Sequence, residues 1–298
     1  MKMRIVSGIL LALMALLLFF SAPAAEAVRQ GLALCAASVV PSLFPFLVLS
    51  SLFMATGGGE LLGRPLQQAA GRILGCSGTG VSVFFLSLLG GYPVGGRLIG
   101  QLYRAGQLSK EEAEHLLLFC NNAGPAFILG FVGLGQMGSM RIGVYLYLVH
   151  AAAAALVALL LRPGKSFFPA ERHTLSSLPF SEALVSAIGE AGSTMVQVCA
   201  FVTFFYTALQ LFSSLTRMTH PLALGFVELT RGILQLRTGH GGFVMASALL
   251  GWGGLSVHCQ TAAVLSGTDL SLRNHLRGKL LHSLFSAFLG FFAWFLIK

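Results

Sequence analysis

The sequence predicts an all-α integral membrane protein, and three observations lead there. Charged residues make up 10% of the 298 and hydrophobic ones 55%, with a mean hydropathy of +0.81, a balance outside that of water-soluble domains. Charge-free apolar runs recur at the roughly 20 residues that a bilayer crossing needs. Lys and Arg gather at the ends of those runs, where they mark the cytoplasmic side of a membrane. The net charge of +9 is therefore read as a topology signal. Nucleic acid is excluded as a partner, because no basic stripe with interleaved aromatics occurs.

The first apolar run, roughly 5–21, follows Lys2 and Arg4 and leads into SAPAAEA. It resembles a secretory signal with a small-residue cleavage site. More spans follow, so a retained helix with a cytoplasmic N-terminus is the reading taken. Further spans are expected at roughly 33–55, 114–135, 142–161, 195–214, 241–265 and 276–297, which makes seven. Two apolar pieces, 73–96 and 218–235, carry glycine or a polar cluster at their midpoints and are expected to fold as re-entrant hairpins. Positive-inside counting supports this. Two hairpins put 13 of the 19 Lys and Arg residues inside and 6 outside, whereas a spanning 73–96 piece gives 9 and 10.

The order helix, hairpin, broken helix, helix then occurs twice, over 33–161 and 195–298. The two occurrences have opposite orientation because three spans separate their starts. An inverted repeat with broken helices is how many secondary transporters build a midplane site. Residues 1–32 are expected to be an N-terminal transmembrane helix and an outer loop. Residues 162–194 are read as a cytoplasmic linker with an interfacial helix. Cys35, Cys76, Cys120, Cys199 and Cys259 show no CxxC or Cys/His spacing, so free thiols and no metal are expected.

Four constellations stand out, because non-helical backbone at membrane depth must line protein or water. The first hairpin tip, with Gly91, Tyr92, Pro93 and Gly95, combines residues that permit positive φ with one that lacks an N–H. The N–H groups it frees suit an anion or a carbonyl oxygen, and a glycine-rich packing interface is the alternative. The first break holds Asn121, Asn122, Gly124 and Pro125, where amides beside a forced break offer donors and acceptors to a solute or cation. Interhelical bonding is the alternative there.

The second tip holds Glu228 and Thr230. Glu228 is the one acid placed inside a membrane element, hence a functional candidate by default, with a pair to Arg231 or Arg237 as the alternative. The second break holds Gly253, Ser256 and His258; the imidazole could shuttle protons or simply bond a neighbouring helix. No nucleophile with its base, HExxH, carboxylate pair or P-loop is present, so an enzyme is not expected, nor a cofactor.

At PSLFPFLVLS (41–50), GGYPVGG (90–96), CNNAGPAFI (120–128), ELTRG (228–232) and GWGGLSVHCQ (251–260), the chain resembles the sporulation integral membrane protein YlbJ family. That family falls within a larger group carrying a nucleoside-recognition (gate) domain. The resemblance runs from about Gly31 to Phe292 and implies a bacterial cell-membrane protein needed for endospore formation. More distantly the chain is similar to concentrative nucleoside transporters, whose two hairpins and two broken helices come in this order. Glu228 falls where their second tip carries a glutamate, whereas Gly91, Tyr92, Pro93 and Val94 do not reproduce their first-tip motif.

The reading is a transporter or gate for a small polar solute or ion, lying in the lipid bilayer, with coupling to Na+ or H+ and a homo-oligomer both left open. The alternative is a non-transporting assembly or scaffold protein for the spore envelope or cortex. The topology has a direct check. Cysteines placed at Lys110, Arg141 and Arg172 on a cysteine-free background should react with an impermeant thiol reagent from the inside, outside and inside respectively. Labelling of position 110 from outside would remove the first hairpin and the repeat with it.

Overall fold

The computed structural model describes residues 2–164 and 179–297, and among them every regular element is helical. The first half contains α1 (Lys2–Phe19), α2 (Ser21–Ala55), α3 (Gly58–Leu74), α4 (Gly78–Gly90), α5 (Val94–Arg104), α6 (Lys110–Leu116), the wide-turned π-helix α7 (Ala126–Gln136) and α8 (Met140–Leu160). The second half contains α9 (Phe180–Thr216), α10 (Pro221–Val227), α11 (Leu229–Leu234), α12 (His240–Trp252), α13 (Leu255–Val264) and α14 (Leu272–Ala293), which closes in a 3-10 turn.

Short side chains start these helices. Ser77, Ser109, Ser139 and Ser271 each accept a hydrogen bond from a backbone N–H of the first turn of α4, α6, α8 and α14, satisfying donors that a helix start leaves free. Left-handed glycines stop them: Gly57 follows α2 and Gly75 follows α3, positions where a Cβ is disfavoured.

Among the described residues five stretches are long and apolar enough to cross a membrane: α2, α8, α9, the broken α12–α13 helix and α14 with its closing turn. This confirms an all-α membrane protein and modifies the seven expected spans. The run near 5–21 is α1, of 18 residues. The span expected at 114–135 is cut into α6 and α7 by non-helical residues 117–124. The outer loop expected before residue 33 is helical, because α2 begins at Ser21. The expected interfacial helix and the span from 195 are one 37-residue helix, α9. The rest of the expected linker, Arg172 included, lies outside the described residues.

The piece 73–96, expected to fold as a hairpin, contains the end of α3, all of α4 and the start of α5. Its arms are α4 and α5, packed on each other around 91–93, while α3 meets α4 at 83°. The second is the tighter pair α10 and α11, joined at Glu228 alone. The order helix, helix pair, broken helix, helix thus recurs, and the packing follows it. The first helices of the two halves, α2 and α9, pack on each other, and so do the last ones, α8 and α14. Partly exposed apolar side chains such as Leu49, Val196, Phe204, Leu284 and Phe288 cover the outside, while Asn, His, Ser, Glu and Lys lie within. That distribution suits a solvent of lipid tails.

Outside the spans, Lys110 on α6 bonds Asp269 in the α13–α14 loop at 2.7 Å, which holds the Asp269 carboxyl below its ordinary range.

Two glycines let helices close on the first break. A Cβ at Gly95 would meet the Cys120 carbonyl, and one at Gly278 the Leu118 carbonyl, both backbone groups that cannot swing aside. Gly189 on α9 faces open space. Gly95→Ala and Gly278→Ala should each lower stability by about 1–3 kcal/mol, as overpacking does. Gly189→Ala should be neutral or raise stability by a few tenths to about 1 kcal/mol. Apparent Tm in detergent measures all three, and equal effects at the three positions would contradict the packing.

Candidate functional site

The tips and breaks meet. Gly91, with φ +82°, lies against Gly124, whose amide N would be 2.9 Å from a Cβ at Gly91, so the first tip touches the first break through backbone alone. In the second half, Gly254 of the α12–α13 break abuts Leu229 N and the Gly225 and Val227 carbonyls at the second tip. The halves are tied across: the Tyr92 ring lies beside Gly253, and its hydroxyl donates to the Leu250 carbonyl at 2.6 Å.

Between these parts is a cavity of about 60 Å³. Tyr92 contributes from the first tip, Ala123 and Gly124 from the first break, Glu228 and Thr230 from the second tip and Gln260 from α13, with apolar side chains of α2, α7 and α9 closing the rest. Of the expected residues the structure brings Tyr92, Gly124, Glu228 and Thr230 to this cavity.

Glu228 is 2% exposed and caps α11, its carboxylate accepting from Arg231 N at 2.8 Å. The expected alternative of an ion pair with Arg231 is not what forms: Arg231 lays its guanidinium over Tyr206, 4.8 Å from the ring centre, and donates to that hydroxyl. Glu228 is also not the one acid on a membrane element, since α2 carries Glu26 and α9 carries Glu190.

The amides of the first break point elsewhere. Asn121 Nδ2 donates to Thr261 Oγ1 on α13 at 2.8 Å, and Asn122 Nδ2 donates to Ser87 Oγ and the Phe119 carbonyl. Both Oδ1 atoms are buried without a protein partner. Pro125 stands at the start of α7, where a missing N–H does no harm, so the break is made by the whole 117–124 segment rather than by a proline inside a helix.

In the second break, Ser256 accepts from Gln260, and His258 Nδ1 lies 3.1 Å from His275 Nε2. Pro93 and Gly95 shape the α4–α5 joint.

The residue that sequence reasoning missed is Lys279. Counted as a cytoplasmic flank charge, it is in fact 1% exposed on α14 and reaches Tyr92 Oη at 3.2 Å, the Asn121 carbonyl at 3.0 Å and His282 Nδ1 at 3.2 Å. His282 Nε2 in turn faces the His150 carbonyl at 3.0 Å, and His150 Nε2 accepts from Ala123 N. The signal was available as helical spacing: His275, Lys279, His282 and Ser286 fall at i, i+4, i+7 and i+11, one face of α14, and all four are buried. Arg97 is likewise buried, donating to the Leu47 carbonyl and to Glu190. Without Lys279 and Arg97 the flank count still favours the inside, 11 to 6.

Fold and site together define a polytopic all-α membrane protein whose broken helices and helix tips meet around a small, polar-edged centre. The chain is 27% identical to the sporulation integral membrane protein YlbJ of Bacillus subtilis (strain 168), an alignment of 320 positions that takes in 90% of this chain and 77% of that protein. That similarity agrees with the resemblance to the YlbJ family carried by the motifs. No family model matches it, and no solved structure matches it significantly.

The Asn121–Thr261 bond joins the first break to the second half, and its strength is measurable. A double-mutant cycle with Asn121→Ala and Thr261→Val should give a coupling of about 0.6 kcal/mol and at most about 1.7, the span for polar pairs between membrane helices. Additive losses in unfolding free energy would show that the contact does not hold the halves together.

Proposed function

We propose that the protein is a transporter or gate for a small polar solute or ion, and that it acts in sporulation, as the name of its Bacillus subtilis relative suggests. The observation that carries the reading is the cavity that both tips and both broken helices share, with the buried carboxylate of Glu228 on its wall. An acid at membrane depth costs about 2.5–3.5 kcal/mol even on insertion scales, and one helix cap is a role that a serine fills as well. A volume of about 60 Å³ suits about two waters, at roughly 30 Å³ each, or one partly desolvated ion.

An approach to the centre supports the reading. A second cavity, of about 270 Å³, is lined by Arg97, Gln101, Arg104, Glu190, Thr194 and Gln197 among others. Gln197 precedes Val198 of the central cavity on α9, and Ala263 lies one turn beyond Gln260 on α13. At this inner cavity Arg97 bonds Glu190 at 2.8 Å, and Gln101 bonds the same carboxylate. Breaking that contact while the α4–α5 pair shifts would join the two spaces, which is alternating access with a hairpin as the moving part.

The second reading, a membrane assembly protein without a solute, has its own support in the amide donors of Asn121 and Asn122, both spent on protein acceptors. Glu228→Gln separates the two. Glutamine keeps an oxygen to accept from Arg231 N, so membrane abundance should stay near wild type while sporulation falls at least tenfold. Because Arg231 is turned to Tyr206, adding Arg231→Gln should not restore it. A cysteine at Ser42, which lines the cavity, should react with small thiol reagents from one side of the membrane. Full sporulation with Glu228→Gln and no reaction at position 42 from either side would favour the assembly protein.

A further inference from the structure

We propose that Lys279 and His282 form a proton-binding site that ties the first tip and the first break to α14. As a site it stands on its own geometry; as the coupling site of a transporter it rests on the reading of the central cavity given above.

The hydrogen-bond inventory leads there. An ammonium has three donors and no acceptor, and Lys279 Nζ has three acceptor atoms around it, from Tyr92, Asn121 and His282. Tyr92 has given its own proton to Leu250, so its oxygen can only accept from Lys279. Asn121 offers a carbonyl. His282 Nε2 faces the His150 carbonyl, which cannot donate, so Nε2 carries a proton and Nδ1 is left as the acceptor for Lys279. If the imidazole takes the proton instead, Nδ1–H donates to a neutral amine. Either way the pair holds one positive charge. Among the described residues no carboxylate forms an ion pair with it.

The groups facing the pair are few. Tyr92 comes from the α4–α5 tip, the Asn121 carbonyl from the first break and His150 from α8, its ring 4.4 Å from that of His282. His275 on α14 itself, paired with His258 of α13, completes the set. The nearest acid in sequence, Asp269, is engaged with Lys110 and Tyr103, and those before the first break are engaged too, Glu112 with Ser77 N and Glu114 with Ser271 N and Asn274.

Loss of the proton breaks the pattern. With both groups neutral, two lone pairs face each other between Nζ and Nδ1. Relief comes from giving up a bond to Asn121, from turning the Tyr92 hydroxyl from Leu250 to Nζ, or from moving the imidazole proton to Nδ1 at the expense of the bond to the His150 carbonyl. The first frees the break and the second frees the tip from α12. Tyr92 also lines the central cavity, so the proton and the cavity share a wall.

Hydrogen–deuterium exchange of the full-length protein in lipid nanodiscs tests this without any solute. After correction for the intrinsic pH dependence of exchange, peptides covering 88–98 and 117–126 should lose at least tenfold in protection through one transition between pH 5 and 10, with protection greater on the acid side. Lys279→Met should abolish the transition. His282→Phe removes one acceptor of the ammonium and should move the midpoint down by at least one pH unit, which keeps the test decisive should Lys279→Met fail to fold. Flat protection in the wild type, the wild-type transition persisting in Lys279→Met, or an unmoved midpoint in His282→Phe would each overturn the site. Failure of transport with the transition intact would overturn only the reading of the cavity.

Discussion

Backbone that leaves the helix within a bilayer has to find its hydrogen bonds inside the protein, because lipid tails offer none. The centre of this structure is arranged around that constraint. Two tips and two breaks leave the helical pattern, and each is covered by backbone or side chains of another. Gly91 against Gly124 and Gly254 against the second tip are the same solution used once in each half. The remaining polar atoms are met by long-range bonds, from Ala123 N to His150 and from Tyr92 to Leu250. The consequence is mutual shielding: each tip lies against backbone of the break in its own half.

Much of this could be read from residue types. Low charge and apolar runs establish a membrane chain, and Gly, Pro and Asn clusters mark the tips and breaks to within a few residues. Gly90–Gly96 does contain the 91–93 joint, and Glu228 alone joins α10 and α11. What composition could not supply was the lateral arrangement. The α2–α9 and α8–α14 contacts bring together segments more than a hundred residues apart, so Asn121 meeting Thr261 has no local signature. Helix ends were misjudged where polar residues continue a helix beyond the apolar run, as Ser21–Gln30 of α2 and Phe180–Glu190 of α9 do.

Lys279 is a different kind of miss. A lysine seven residues into a helix whose start also carries Arg273 and Arg277 looks like a flank charge, and charge counting treats it as one. Its helical phase says otherwise, since Arg277 falls off the stripe that His275, Lys279, His282 and Ser286 share. For membrane helices the face a charge occupies carries more information than its distance from the end, because a long side chain on the lipid face can reach the interface and one on the bundle face cannot. Arg97 repeats the point: it opens the amphipathic α5 and is buried against Leu47 and Glu190.

The two buried charged regions are connected through one side chain. Tyr92 closes the cavity that Glu228 lines, and its hydroxyl lies between Lys279 and Leu250. An aromatic ring with a single polar end can hold only one hydrogen-bond arrangement at a time, so an event on the α14 side is felt at the cavity wall with no intervening chain of contacts. Coupling of this kind needs a discrete two-state element rather than mere proximity; the Tyr92 hydroxyl donates to Leu250 and accepts from Nζ, and in the proposed site loss of the proton would reverse the second of these bonds. Gly253 lies against the ring between the halves.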